Sequence, residues 1–281
     1  MTRPNVLILQ ATGTNRDGDA AEAITVAGGA PEILHVNELR ESPDRLHDFQ
    51  MLVLPGGFSY GDALGAGRLL AIDMRWLFQE HLARFVETGK PVLGICNGFQ
   101  ALVKSGWLPG PEAGIASGSA DTSADTSPDM AAAASREQGR ATLTRNVSNR
   151  FECRWVWLEP NRESPCVFTR GLSERITCPV AHGEGRFVPR NDDVLASLRN
   201  ANQIALTYTT ASGGAPEYPD NPNGSTADIA GICNVQGTVF GLMPHPEDHI
   251  YPEQHPRWTR GQRGNLGLSL LQRGVAYAAE L

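Results

Sequence analysis

The sequence lacks several features that define large classes of proteins. It has no run of about 18 consecutive apolar residues, so we predict no membrane-spanning helix. Its formal net charge is −7 at pH 7 with both signs interspersed, and the lack of a basic stripe argues against nucleic-acid binding. Its five cysteines are an odd number without Cys-x-x-Cys spacing, which argues against a disulfide framework and against a metal site of the zinc type.

The odd number and irregular spacing of the cysteines also fit a reducing cytosol. Strand-like sequence begins as early as Asn5, which leaves no room for a secretory signal peptide. We therefore expect a cytoplasmic globular protein, and we interpret residues 1–281 as one domain.

One segment, residues 111–139, has almost no large apolar side chains. It consists mainly of alanine, serine, aspartate, threonine and glycine. Such a composition buries too little surface to offset the entropy of ordering the chain. We interpret the segment as an exposed low-complexity insertion.

The first hundred residues alternate between strand-like and helix-like patterns. Strand-like, largely apolar runs at residues 5–10, 32–36, 51–57 and 92–95 are typical of buried parallel strands. Helical spacing of apolar residues predicts helices over residues 20–29, over residues 69–88 and from Asn97 onward. This alternation predicts an α/β fold with a central, mostly parallel sheet flanked by helices, whose ligands lie beyond the carboxyl ends of the strands.

The sequence after the insertion is mainly strand-like and predicts an added antiparallel region. A helix is expected at about residues 265–279. The strand-like runs are residues 141–146, 150–159, 166–171, 193–199 and 203–209, and two further strands around a turn in residues 228–246.

Cys96 lies where the apolar run at residues 92–95 ends and a helix-like pattern begins. Most free cysteines are small buried packing residues, which is the simplest interpretation of a single cysteine. Here, however, Gly94 and Gly98 bracket Cys96, as in the strand–turn–helix elbow that presents a nucleophile at the end of a sheet. The N-terminus of the following helix favours the thiolate. We therefore expect Cys96 to be reactive and the other four cysteines to be buried packing residues.

His245 is the candidate base for this nucleophile. Pro246 alone separates it from Glu247, and the flanking prolines stiffen the segment, so the carboxylate can hold the second ring nitrogen of the imidazole. A His-x-Glu sequence by itself usually means nothing, and a proline-rich surface turn is the alternative. His249 and His255 lie nearby, but neither has a carboxylate at so constrained a spacing.

The Pro-Gly-Gly sequence at residues 55–57 is first of all a turn after an apolar strand. Glycine also lets backbone N–H groups approach a ligand closely, as an oxyanion hole requires. The N–H groups of Gly57 and of Asn97, the residue after the nucleophile, are the candidate donors.

Together, "GICNGFQ", "LPGGFSYGD" and "MPHPE" resemble the class I glutamine amidotransferases. Within that family, the sequence resembles the glutaminase subunits of phosphoribosylformylglycinamidine synthases. The segments that carry this closer resemblance are "GTNRDGD", "FSYGD", "NVSNRFECRWV", "VAHGEGRF" and "NPNGSTADIAGICN". The resemblance implies a flavodoxin-like α/β fold.

The resemblance also implies roles for individual residues. Cys96 would be the nucleophile, His245 the base, and Glu247 the residue that orients it. His182 could be mistaken for a rival base, but its place in "HGEG" corresponds to an element that lines the glutamine pocket. The residues implied at that pocket are Gln100, His182, Gly183, Glu184 and Gly185.

The activity implied is hydrolysis of glutamine to glutamate and ammonia. The ammonia would pass to a separate synthetase subunit that converts formylglycinamide ribonucleotide to its amidine, with a small accessory subunit also present. The sequence has no Gly-x-x-x-x-Gly-Lys-Ser/Thr phosphate loop, so ATP and magnesium are expected at the partner and no cofactor is expected in this chain. Two departures from the family are the insertion and the acidic residue Asp248 after Glu247.

Three other functions remain open on sequence alone. The chain could supply ammonia to another synthetase, such as one that makes guanylate, carbamoyl phosphate or a cofactor. It could be a non-catalytic amidotransferase-like scaffold, although the complete set of cysteine, histidine and glutamate argues against this. It could also be an unrelated cysteine hydrolase or redox protein, which would leave Gln100 unexplained. Release of ammonia from glutamine, with and without the synthetase, distinguishes them.

Overall fold

The computed structural model describes residues 3–110, 139–262 and 264–281. Within these ranges, no helix is long and apolar enough to cross a membrane. The strands of the described residues are β1 (Asn5–Gln10), β2 (Ala30–His35), β3 (Met51–Leu54), β4 (Val92–Ile95), β5 (Ala141–Thr144), β6 (Glu152–Pro160), β7 (Ile176–His182), β8 (Arg186–Pro189), β9 (Ile204–Thr209), β10 (Ile229–Cys233) and β11 (Val239–Leu242). The helices are α1 (Asp17–Val26), α2 (Val36–Glu41), α3 (Arg68–Trp76), α4 (Gln79–Glu87), α5 (Asn97–Lys104), α6 (Asp192–Asn200) and α7 (Leu268–Ala278).

Nine of these strands form one sheet in the order β2-β1-β3-β4-β11-β10-β9-β6-β7. The strands from β2 to β11 in this order are parallel, and β10, β9, β6 and β7 extend the sheet with antiparallel pairing. Strands β5 and β8 form a separate antiparallel pair. The predicted parallel sheet and its antiparallel addition are therefore both present.

The core covers both faces of the parallel half of the sheet and continues along its antiparallel half. The central residues of β1, β3 and β4 are buried, as expected for parallel strands covered by helices on both sides. Helix α1 packs against α7, and α3 packs against α5. Because β3, β4 and β11 are neighbouring parallel strands, their carboxyl ends lie together at one edge of the sheet.

The single helix predicted over residues 69–88 is in fact two helices, α3 and α4. The break lies at Leu77 and Phe78, where Phe78 has the non-helical angles φ −118° and ψ 6°. Both helices bury one face, so the apolar spacing continues across the break and the sequence pattern does not reveal it.

Two predicted strands are wrong. Residues 193–199 belong to α6, whose first turn is capped where the Asn191 side chain accepts a hydrogen bond from the N–H of Val194 at 3.0 Å. Residues 166–171 form turns in which the N–H groups of Thr169 and Arg170 both donate to the carbonyl of Cys166. Because the first four of these residues are buried, their sequence is as apolar as that of a strand.

The predicted insertion at residues 111–139 falls almost entirely outside the described residues, which resume at Gly139. The assignment of the whole chain to one domain therefore stays a prediction. Strands from before and after the segment, β4 and β11, pair directly in the same sheet.

Candidate active site

Three neighbouring strands bring the predicted site residues together. Strand β4 pairs with β3 on one side and with β11 on the other, and all three run in the same direction. Cys96 follows β4, residues 55–57 follow β3, and His245 lies just beyond β11. The N–H of Cys96 donates to the carbonyl of Leu242 at 2.8 Å, so the β4–β11 pairing continues to the candidate nucleophile.

Cys96 occupies a strained turn between β4 and α5, with φ 48° and ψ −100°. Side-chain-bearing residues rarely adopt this conformation. The flanking glycines let β4 and α5 pack this closely around the turn. A Cβ on Gly98 would lie 2.0 Å from the carbonyl oxygen of Leu54, and a Cβ on Gly94 would lie 2.8 Å from the carbonyl carbon of Gly98. The predicted crowding of strand against helix is thus confirmed.

The Cys96 thiol lies at the N-terminus of α5 and is 6% exposed. Its sulfur is 3.8 Å from the carbonyl oxygen of Ala181 on β7. The thiol is therefore held between the start of α5 and the last residues of β7.

His245 and Glu247 form a buried pair beside this thiol. The Nδ1 atom of His245 donates to Oε1 of Glu247 at 2.7 Å, and each residue is 2% exposed. Burial acts to lower the pKa of His245, but the charges of Glu247 and Cys96 next to it hold that pKa well above its usual value. Because Nδ1 is committed to Glu247, the other ring nitrogen, Nε2, is left for the neighbouring Cys96 side chain and is the one that can exchange a proton.

Arg16 is a neighbour of this pair that the sequence reasoning did not single out. Its guanidinium donates to the side chains of Asp19 and Asp248, and Asp248 directly follows Glu247. Burial and the adjacent Glu247 raise the pKa of Asp248 to about 6, while Arg16 opposes that rise. The only sequence signal was the segment "GTNRDGD", which contains Arg16.

The Pro-Gly-Gly turn contacts both parts of the site. A Cβ on Gly56 would lie 2.7 Å from Cε1 of His245, so the imidazole rests on this glycine. Gly57 has φ +124°, a conformation that glycine alone adopts readily. Among the described residues, neither the Gly57 nor the Asn97 amide donates a backbone hydrogen bond, which leaves both N–H groups available. Their role in an oxyanion hole stays a prediction.

The Asn97 side chain ties the segment after the turn to α5. Its Oδ1 accepts from the Ser59 hydroxyl at 2.5 Å, and its Nδ2 donates to Asp62 at 3.0 Å and to Gln100 Oε1 at 3.2 Å. Tyr60 and Asp62 both have left-handed backbone angles. These contacts give "FSYGD" a structural role, which is to hold the chain after Gly57 against the helix of the nucleophile.

Gln100 and the 182–185 loop are brought together as the sequence predicts. The loop joins β7 to β8 and consists of His182, Gly183, Glu184 and Gly185. The Gln100 Nε2 atom donates to the carbonyl of Glu184 at 2.7 Å. Lys104 on the same helix lies 3.6 Å from the Glu184 carboxylate. The contact of these residues with glutamine stays a prediction.

His182 is as buried as His245 but differs from it in the direction of its pKa shift and in the lack of a hydrogen-bonded carboxylate. Burial and the nearby His245 lower the pKa of His182 to about 4, so the ring is neutral at pH 7. Neither ring nitrogen has a hydrogen-bond partner among the described residues, and the nearby Glu152 carboxylate acts on the ring by its charge without a hydrogen bond. Its ring is covered by Gly185, where a Cβ would lie 2.3 Å from Cε1.

The other cysteines follow the expectation with one exception. Cys166, Cys178 and Cys233 are buried, whereas Cys153 is exposed. Cys153 lies on β6, where burial alternates along the strand, and its side chain falls on the uncovered face. The prediction that Cys153 is a buried packing residue is therefore wrong.

The chain is similar over its whole length to proteins of known name. The sequence profile of the CobB/CobQ-like glutamine amidotransferase domain matches residues 3–278. The phosphoribosylformylglycinamidine synthase subunit PurQ of Treponema denticola is 47% identical over 280 residues, which are 98% of this chain and 99% of that protein. The protein of the same name from Dehalococcoides mccartyi is 41% identical over 286 residues and 100% of both chains.

A solved structure extends this likeness to three dimensions. A chain in the structure of PurLQS from Thermotoga maritima matches with a TM-score of 0.69 and 30% sequence identity. The match covers 98% of this chain and 99% of that one.

Proposed function

The chain belongs to the CobB/CobQ-like glutamine amidotransferase family, and from this premise we propose that it is the glutaminase subunit of a phosphoribosylformylglycinamidine synthase in purine biosynthesis. The class I amidotransferase fold expected from the sequence is confirmed by the structural match. The observation that carries the proposed activity is the position of Cys96 beside the His245–Glu247 pair, at the carboxyl ends of β4 and β11.

The first half-reaction forms a thioester. The Cys96 thiolate attacks the carbon of the glutamine carboxamide, and the carbonyl oxygen becomes an oxyanion that accepts hydrogen bonds from the N–H groups of Gly57 and Asn97. The protonated Nε2 of His245 gives its proton to the nitrogen as the C–N bond breaks. Ammonia leaves, and the glutamyl group stays on the sulfur.

The second half-reaction regenerates the enzyme. Neutral His245 takes a proton from water at Nε2, and the resulting hydroxide attacks the thioester. The C–S bond breaks, glutamate leaves, and the thiolate again faces a protonated imidazole. Throughout, Glu247 accepts the hydrogen bond from Nδ1, which fixes the ring orientation and stabilises its positive charge.

The glutamine pocket lies between α5 and the 182–185 loop. The contact between Gln100 and the carbonyl of Glu184 supports this placement, as does the distance of 3.8 Å from the Cys96 sulfur to Ala181, which precedes the loop. Strand β7 thus contacts the nucleophile through Ala181 and leads directly into the loop that lines the proposed pocket.

The partner is the synthetase subunit, together with a small accessory subunit. Two observations support this assignment: the sequence has no phosphate-binding loop of its own, and the similar solved chain is part of PurLQS. ATP and magnesium are then used by the synthetase, this chain works without a cofactor, and the complex acts in the cytoplasm.

Reconstitution tests the proposal. The purified chain is mixed with the synthetase, any accessory subunit, ATP, magnesium and formylglycinamide ribonucleotide, and glutamate and amidine are measured together. We expect glutamate release to be stimulated and matched by amidine formation, since closure of such a site depends on partner contacts. A synthetase that uses added ammonia but no glutamine with this chain would contradict the proposal. Full activity with a guanylate or carbamoyl phosphate synthetase would reassign the partner.

A further inference from the structure

We propose that Asn146 and Asn223 are positioning residues that clamp the 182–185 loop and so fix the glutamine pocket. The inference rests on the proposed function, because it gives the loop a task in glutamine binding. Both asparagines belong to segments, "NVSNR" and "NPNGS", that have no role in the chemistry itself.

Asn146 holds both ends of the loop with one side chain. Its Nδ2 donates to the carbonyl of His182 at 2.8 Å, and its Oδ1 accepts from the N–H of Gly185 at 3.0 Å. Its own backbone N–H donates to the carbonyl of Gly183 at 3.0 Å. The residue is 3% exposed, so water does not compete for these bonds.

Asn223 holds the same loop from the opposite side of Gly185. Its Nδ2 donates to the Gly185 carbonyl at 2.8 Å and to the Tyr208 hydroxyl at 3.0 Å, and the residue is fully buried. The two segments are joined by a backbone hydrogen bond, in which the N–H of Val147, the residue after Asn146, donates to the carbonyl of Asn223 at 3.1 Å. The peptide groups on both sides of Gly185 are therefore bound by one rigid unit.

The loop needs this support because two of its four residues are glycines. Glycine has more backbone freedom than any other residue, and fixing it costs entropy. On the side facing the active site, the loop backbone is held by the bond from Gln100 to the Glu184 carbonyl. Without the clamp, the loop would sample positions that no longer match a glutamine bound next to Cys96.

Aspartate substitutions separate this role from simple packing. Asn146→Asp keeps the oxygen that accepts from Gly185 and removes the donor to the carbonyls of His182 and Arg150, while Asn223→Asp removes the donor to Gly185 and Tyr208. The matched control is Asn234→Asp, a buried asparagine whose Oδ1 accepts from the N–H of Val239 at 3.0 Å in the turn before β11, at the end of the strand away from His245. Asn146→Ser and Asn223→Ser serve where the buried charge impairs folding, and melting temperatures are recorded for all variants.

The measurement is glutaminase kinetics in the reconstituted complex, together with alkylation of Cys96 by iodoacetamide, which needs no glutamine pocket. We expect KM for glutamine to rise about tenfold or more in both loop variants, which is the loss expected for one or two buried hydrogen bonds. The rate of alkylation, synthesis with added ammonia and the kinetics of the Asn234 variant should stay near those of the wild type.

The proposal is overturned if KM rises no more in the loop variants than in the Asn234 variant, or if kcat and the alkylation rate fall in parallel with binding. A wild-type complex without glutaminase activity would instead refute the proposed function, so the two failures are distinguishable.

Discussion

The Nδ1 atom of His245 lies 2.7 Å from Oε1 of Glu247, although only Pro246 separates the two residues in sequence. This close pairing follows from a short 3-10 turn that begins at Pro246. Because Nδ1 is committed to the carboxylate, Nε2 is left to face the nucleophile. Proton transfer at a single ring nitrogen follows from this geometry.

The chain should be labelled at Cys96 alone by a glutamine-like electrophile such as a diazo-ketone norleucine. The pocket directs the reagent to the thiolate at the N-terminus of α5. Peptide mass spectrometry identifies the modified residue. Cys153→Ser is the control, since Cys153 is an exposed thiol outside the site and its loss should leave labelling intact. Labelling at Cys153 or Cys233 would contradict the assignment of the nucleophile.

His245→Ala should reduce the single-turnover rate of glutamine cleavage by about 10⁴-fold or more, as removal of a triad member does. His182→Ala should retain a measurable fraction of activity, because His182 is neutral and, among the described residues, no carboxylate is hydrogen-bonded to its ring. Quenched-flow measurement of glutamate compares the two. A larger loss in the His182 variant would mean that the base is wrongly assigned.

The stability of the protein should fall as the pH is lowered from about 6.5 to about 4, partly because of His182. Burial depresses the pKa of His182 from 6.5 to about 4, so the folded state binds its proton less tightly than the unfolded state. The stabilisation is complete above pH 6.5 and is lost as the pH falls towards 4. The His182 contribution to the free energy of unfolding is about 3 kcal/mol at most, since one pKa unit corresponds to 1.36 kcal/mol. The free energy of unfolding, measured with urea at several pH values, should depend less on pH in His182→Gln than in the wild type over this range. The same pH dependence in both proteins would exclude the effect.

Arg16→Met should lower kcat/KM by about tenfold, and Asp248→Asn in the same chain should restore much of it. Without the guanidinium, the two neighbouring carboxylates of Asp248 and Glu247 would keep His245 as a cationic partner but lose Arg16. The double variant removes one of those charges. Asp19→Asn is the control, since Asp19 also pairs with Arg16 but is more exposed. Equal losses in the single and double variants would show that the charge balance is not what matters.

Gly98→Ala and Gly18→Ala should change stability in opposite directions, although both glycines lie in helices. A Cβ at Gly98 would lie 2.0 Å from the carbonyl oxygen of Leu54, so we expect a loss of about 2 kcal/mol or more from overpacking. A Cβ at Gly18 meets nothing within 4 Å, and alanine should stabilise α1 by up to about 1 kcal/mol. Thermal unfolding measures both. A neutral Gly98→Ala would mean that the helix can move away from β3.

The residues that carry the chemistry were predictable because the residues next to each of them in the sequence indicate its local structure. Gly94 and Gly98 flank Cys96, and Pro246 joins His245 to Glu247, so strand-end turns could be recognised locally. The helix break at Phe78 was not predictable, because apolar spacing continues across it.

The supporting residues were missed for a different physical reason. Arg16 pairs with a residue more than 200 positions away, and Asn146 and Asn223 act on a loop distant from both in sequence. Such contacts depend on how the strands are ordered in the sheet, which a local pattern does not contain. The exposure of Cys153 likewise depends on which face of β6 is left uncovered.

The pairing of β4 with β11 also determines when the site comes into existence. Cys96 and His245 are 149 positions apart, and they meet only when the last strand of the sheet is inserted next to β4. Contacts of such large sequence separation form slowly, because the long loop between them must first be closed. A nascent chain synthesised as far as α5 therefore has the thiol without its base. Competence to cleave glutamine thus requires that β11 has been inserted next to β4.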